Sequence, residues 1–371
     1  MMMPLASYKA VILSVFIAGL LSACAQLPEQ RPFVPPVFPP PPETPRFYFE
    51  HMLISTAQVT STDATTRWRR LLTGESARGL GFAKPFDVTA CRGRIYVSDS
   101  VRRTVIGFDF PGGRSYAIGE DEPGALVKPL GIASDSNCNL YVADATPKRI
   151  AIYDQDGKFL RAVGGSEYFD RLSHVAVDPN GTKLFTVDTG STGGDMEAHK
   201  IRVFDALTGA HLYDIGKRGA ADGELNLPRD IEFGPDGLLY VVDSGNFRVQ
   251  VFEQDGKFVR TFGTVGRRIG QFARPKGIAS DASGNIYVTD ASHGNFQIFN
   301  PEGQLLLFIG GRSNRSEPAK YTLPAGIDVD EDGRVYMVGQ FFRKVEIYRP
   351  AELESEQGFL GVWATQLAEN Q

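Results

Sequence analysis

A short strand ending in Tyr-Val-x-Asp recurs along this chain, and no other feature restricts its fold as much. Ile95-Tyr96-Val97-Ser98-Asp99, Leu140-Tyr141-Val142-Ala143-Asp144, Leu184-Phe185-Thr186-Val187-Asp188, Leu239-Tyr240-Val241-Val242-Asp243, Ile286-Tyr287-Val288-Thr289-Asp290 and Val335-Tyr336-Met337-Val338-Gly339 make six copies. They are about 45 to 55 residues apart, the length of a four-stranded propeller blade and too short for a domain with its own core. The repeated strands are apolar at consecutive positions, as expected where both faces of a sheet are covered by neighbouring sheets. The predicted fold is therefore all-β: a six-bladed β-propeller with four-stranded antiparallel blades, spanning residues 46–350.

The fullest copy runs from Leu227 to Gly256. Leu227-Pro228-Arg229-Asp230-Ile231-Glu232-Phe233 leads through a Gly234-Pro235-Asp236-Gly237 turn into the second strand. Arg248-Val249-Gln250-Val251-Phe252 follows, and Phe258 to Gly263 supplies a fourth strand. This pattern resembles the NHL repeat, most closely at Pro228 to Asp255, with its Ser244-Gly245-Asn246-Phe247-Arg248 turn, and at Pro275 to Phe299. The match covers roughly Arg67 to Tyr348. The resemblance implies a propeller. It leaves function open, because related propellers include RNA binders, protein-interaction platforms, lyases and hydrolases.

Ahead of the repeats, Lys9, an apolar run from Ala10 to Leu21 and Leu21-Ser22-Ala23-Cys24 read as an export signal with a lipobox over residues 1–23. Cys24 is the expected lipidation site, and the following Ala25 resembles the outer-membrane sorting pattern of Gram-negative lipoproteins. Half of the residues from Pro28 to Pro45 are proline, so residues 24–45 are expected to form an extended tether. At about 3.1 Å per residue it would hold the domain some tens of ångströms off the bilayer.

A propeller must also close. The sixth copy lacks an obvious fourth strand, since Pro350 and a Glu-rich tail over residues 351–371 follow it. Trp68-Arg69-Arg70-Leu71-Leu72-Thr73 stands, relative to Pro85, where Phe258 to Gly263 stands relative to Pro275, so it is the expected N-terminal closing strand. Arg46 to Ser55 is strand-like without an assigned place. After processing only Cys91 and Cys138 are free to pair, and both precede the second strand of adjacent blades. An oxidising compartment permits a disulfide, whereas blades that diverge with radius favour two buried thiols.

The recurring Asp99, Asp144, Asp188, Asp243 and Asp290 read as carboxylates that fix their own turns rather than as a catalytic ring. No catalytic residues are assigned, because no nucleophile elbow, phosphate loop, dinucleotide fingerprint or His-Glu-x-x-His helix is present. Departures from the repeat are more telling. Aligned on the first-strand proline, the next residues include His174, Arg229 and Lys276 in blades three to five, with Asp230 beside them. Such a patch suits a carboxylate or phosphate. Blade three carries a long insertion from Thr189 to His199, and blade six offers Phe341 and Phe342 as candidate anchors for a partner. His174, Asp195, Glu197, His199 and His293 form a possible divalent site for Ca or Zn, as in His-ligated propeller lyases similar to this family, although no cofactor is expected.

Two functions follow. The favoured one is a lipid-anchored, monomeric propeller that binds an envelope protein or peptide through its loop face without chemistry. The alternative is a metal-dependent lyase or hydrolase at the channel mouth. Export and a net charge of −5 argue against nucleic acid as the partner.

Overall fold

The computed structural model describes residues 34–59, 79–178, 180–190 and 198–361. The signal segment, Cys24, Trp68–Thr73, Asp195 and Glu197 lie outside the described residues.

Six antiparallel sheets stand around a central channel. Blade one is built from Pro85–Cys91, Arg94–Asp99, Thr104–Asp109 and Arg114–Ile118, running outward from the axis. Blades two, three and four follow the same plan from Pro129–Ser134, Leu172–Val177 and Pro228–Phe233. Blade five, from Pro275–Ser280, adds the short strand Lys320–Tyr321 parallel to its outermost strand. Each innermost strand touches that of the next blade, and Pro324–Val329 of blade six touches Pro85–Cys91, which completes the circle. The second strands are buried throughout, as in Leu239–Asp243 and Ile286–Asp290, except at the leading Arg94 and Lys183 of blades one and three. The outermost strands alternate, as Phe258–Phe262 does, because only one of their faces meets a neighbouring blade.

The ring is closed by an N-terminal strand, but by a segment that spacing alone did not choose. Val37–Phe38 (β1) pairs with Phe47–Leu53 (β2), and β2 pairs with Lys344–Pro350 of blade six. Phe47, Phe49 and Leu53 are buried. Glu50 meets Arg334 at 2.8 Å and Arg349 at 3.3 Å, and Arg334 has no exposed surface, so β2 carries the counter-charge of a buried cation. The place beside Lys344–Pro350 is thus taken by the strand-like segment that had no assigned place.

Two domain limits move as a result. The expected tether over 24–45 overlaps the propeller, because the unit containing it starts at Pro36 and the Phe38 ring packs 5.8 Å from that of Tyr348. The tail is also partly folded: Leu360 is buried in the same core cluster as Phe108 and Phe110, and Arg334 donates to the Gln357 carbonyl at 3.0 Å.

Cys91 and Cys138 form a disulfide across blades one and two, with Cα atoms 5.6 Å apart. Divergence with radius does not oppose it. Cys91 ends the innermost strand of blade one and Cys138 lies in the turn leaving that of blade two, where adjacent blades are nearest.

Candidate functional site

In blades one to five the second strand ends on an aspartate that reaches back to the loop leading into its own blade, whereas that of blade six ends on Gly339. Asp99 accepts from the backbone N–H of Ala83 and Lys84 at 2.6 and 3.0 Å, and Asp144 from Val127 and Lys128 at 3.1 and 2.7 Å. Asp188, Asp243 and Asp290 make the same bonds to Asp170 and Arg171, to Asn226, and to Ala273 and Arg274. These carboxylates hold the inbound loops. In blades one, two, three and five they place the residue before the first strand, Lys84, Lys128, Arg171 and Arg274, at the channel rim.

Just inside the rim, the pairing of every innermost strand slips immediately after its first residue, as between Pro85 and Asp87 or Pro228 and Ile231. Such a bulge re-aims a side chain. It turns the residue two places after the proline into the channel: Asp87, Gly131, His174, Asp230, Gly277 and Gly326 in ring order. His174 therefore belongs one residue deeper than its sequence alignment with Arg229 and Lys276 implied. Leu172, which pairs with Asp188 as Pro228 pairs with Asp243, is the true counterpart of the proline.

These residues form a bridge across the channel. His174 Nε2 is 2.7 Å from Asp87 Oδ2 and its Nδ1 is 2.8 Å from Asp230 Oδ1. The three residues are 8%, 2% and 3% exposed, so their charges act at short range with little water between. Burial alone would lower the His174 pKa, but Asp230 and then Asp87 outweigh it and hold the ring protonated, well above its ordinary value. The carboxylates are satisfied in turn by Ile132 N–H on Asp87 at 2.8 Å and Ile278 N–H on Asp230 at 2.9 Å. Two glycines make the bridge possible. A Cβ on Gly131 would fall 2.1 Å from the His174 ring, and one on Gly326 would fall 1.8 Å from the Asp87 carboxylate.

Above the bridge the channel opens as a cavity of about 460 Å³. Arg229 and Lys276, half-buried, reach into it, and Lys84, Lys128, Arg171 and Arg274 stand exposed around its rim. Among the described residues none of these six cations is in an ion pair; the rim's one carboxylate, Asp170, has its own interactions. Lys276 is pushed down to about 8 by burial, then by Arg274, Arg229 and Lys84, and Arg229 is lowered by burial, Arg171 and Arg274. Of the expected ligand-binding set, the structure thus gathers His174, Arg229, Asp230 and Lys276. Sequence reasoning missed Lys84, Lys128, Arg171 and Arg274. Three of these directly precede a first-strand proline, so the signal in the sequence is a basic residue recurring at that one repeat position.

Below the bridge lies a second cavity of about 410 Å³, lined by acidic side chains and by no lysine or arginine. Glu232 and Asp328 line it with Thr89, Ser134 and Ser280. Burial, followed by Asp328 and Asp230, raises Glu232 well above the usual carboxylate range, and burial raises Asp328 to about 7.

The possible metal set does not assemble among the described residues, where no three His, Cys, Asp or Glu side chains gather to hold an ion. His199 fills the left-handed position that ends a second-to-third-strand turn, as Arg103, Lys148, Phe247 and Arg343 do elsewhere, and its Nδ1 accepts from Leu227 N–H at 3.0 Å. His293 stands 3.3 Å from Asp290, in its own turn. Phe341 is exposed and Phe342 lies edge-on to it, under the Lys344 ammonium, but neither lines the channel mouth.

The sequence pattern of the NHL repeat matches residues 225–252 and 272–299, in blades four and five. The chain therefore carries NHL repeats in a six-bladed propeller. RING finger protein nhl-1 of Caenorhabditis elegans is 56% identical over 52 residues, which are 14% of this chain and 5% of that protein. Protein brain tumor of Drosophila melanogaster is 26% identical over 144 residues, 38% of this chain and 13% of that one. The likeness thus spans a small fraction of either relative. Among solved structures, a protein of unknown function from Bacteroides thetaiotaomicron superposes with a TM-score of 0.60 at 14% identity, over 81% of this chain and 75% of its own. A gluconolactonase from Xanthomonas campestris gives 0.55 at 18% identity, over 72% and 86%. A streptogramin B lyase gives 0.53 at 14%, over 72% and 94%. At these identities the likeness is one of fold.

Proposed function

We propose that this chain is a membrane-tethered envelope lipoprotein whose propeller serves as a non-catalytic binding platform, docking an anionic group of an envelope protein or peptide at the cation-lined mouth. One observation carries the reading. Six basic side chains from five blades converge on one cavity without an ion-pair partner among the described residues, and two of them are half-buried. Keeping like charges together in a partly dehydrated pocket costs stability, which an anionic ligand would offset. The bridge beneath favours binding over catalysis, because His174 is held protonated between two carboxylates and is not poised as a base.

The test is titration of a poly-glutamate peptide into wild type and into Arg229→Ala/Lys276→Ala, at several salt concentrations, with and without chelator. Wild type should bind, more weakly as salt rises. The double variant should lose at least about tenfold in affinity, with a melting temperature no lower than wild type. Equal affinities would remove the mouth as the docking site. Loss of binding on chelation would favour the metal-dependent lyase or hydrolase.

A further inference from the structure

The mouth is cationic and it is also blind. The Asp87–His174–Asp230 bridge spans blades one to four below it, packed into the spaces that Gly131 and Gly326 leave. On the remaining side, a Cβ on Gly277 would fall 2.6 Å from the Ala325 carbonyl oxygen, so blades five and six meet closely at that level. A ligand can thus enter from the rim and present one end, but it cannot thread through the channel. Shape selects for a terminal group.

Charge selects further. Arg229 and Lys276 stand at the same place in consecutive blades, one residue above Asp230 and Gly277, with Arg171, Arg274 and Lys84 near enough to perturb their titration. The bridge below returns little negative charge, since His174 offsets one of its two carboxylates. A single carboxylate would leave most of the cationic charge unanswered. A phosphate monoester carries about −1.5 to −2 at neutral pH on three acceptor oxygens and is attached to its carrier on one side only. A phosphodiester carries one charge and has chain on both sides. The guanidinium of Arg229 suits planar two-point contact with phosphate oxygens, and the Lys276 ammonium supplies a compact charge beside it.

We infer that the mouth is a receptacle for a phosphate monoester, bound end-on with its oxygens toward Arg229 and Lys276. This rests on the mouth being the anion-docking site and adds the identity of the anion. Lipid and soluble sources share the same headgroup chemistry.

The experiment is calorimetric titration of the full chain with methyl phosphate, dimethyl phosphate and acetate at pH 7 and fixed ionic strength. Methyl phosphate should bind at least tenfold more tightly than either competitor. Arg229→Gln and Lys276→Met should each weaken it tenfold or more, and Lys158→Ala, on an exposed turn away from the channel, should leave it unchanged. Thermal melts of each variant keep a loss of binding distinct from a loss of fold. Vesicles containing phosphatidic acid then separate the sources: competition with methyl phosphate points to a lipid carrier, and its absence to a soluble one. Dimethyl phosphate or acetate binding as well as methyl phosphate would overturn the inference. So would a 5′-hydroxyl oligonucleotide, whose phosphates are all diesters, displacing methyl phosphate at equal phosphate concentration. If poly-glutamate binding still depends on Arg229 and Lys276 while methyl phosphate does not bind, the docking reading stands and the monoester falls. If neither ligand depends on them, both fall.

Discussion

His174 is a charge that its burial would extinguish if it stood alone, and Asp87 and Asp230 keep it. Removing one member of such a buried set leaves the others uncompensated, which typically costs 3–5 kcal/mol. His174→Ala should therefore destabilise the propeller by about that amount near neutral pH, by urea denaturation. The sign of the pH dependence follows from the two carboxylates left facing each other. Burial raises Asp230 already, and without the imidazolium its folded pKa rises further, so the variant loses stability as pH increases through that value. In wild type the raised His174 value means that its contribution is complete below the ordinary histidine pKa and is lost only as pH climbs through the folded value. The deficit should be smaller at pH 5 than at pH 7.5. A deficit under about 1 kcal/mol at pH 7.5 would show that the bridge is not a coupled unit. In the sequence, His174, Asp230, Arg229 and Lys276 stood out because they depart from the repeat. Their depth did not, because a bulge after the first residue of each inner strand decides it.

At the scale of the element, β2 shows what a strand pattern can and cannot say. Three strands in blade six demanded a fourth from elsewhere, and that much was legible. Which segment answered was settled by Phe47, Phe49 and Leu53 facing the core and by Glu50 reaching Arg334, contacts across almost the whole chain. A chain beginning at Leu80 should aggregate or lose cooperative unfolding, because the edge of Lys344–Pro350 is left unpaired and Arg334 loses Glu50. A chain beginning at Arg46 keeps β2 and should fold. A stable monomer from the shorter chain, with a sharp melt, would refute closure by β2. The Cys91–Cys138 bond acts at the same scale. Closing a separation of 47 residues restricts the unfolded chain by about 4 kcal/mol in the chain-entropy account. It forms because both sulfurs sit at the inner ends of their blades, a radius that residue spacing does not report.

The whole molecule joins a ring with one basic-lined and one acid-lined cavity to an N-terminal segment proposed to carry a lipid. If Cys24 is acylated, Cys24→Ser should move the protein from the membrane to the soluble envelope fraction, since the acyl chains supply the proposed anchorage. Equal membrane retention of the variant on fractionation would remove the lipoprotein reading. The repeat by itself determined six blades, their strand order and the jobs of the recurring aspartates, because these depend on local turn chemistry and on apolar runs that any similar sequence must bury. The tertiary structure alone decided which N-terminal strand closes the ring, that Cys91 meets Cys138, and that Asp87, His174 and Asp230 divide the channel beneath six cations. Those facts join residues from different blades, and a repeat describes one blade at a time; only when the ring closes do equivalent positions become neighbours whose charges and volumes must be reconciled.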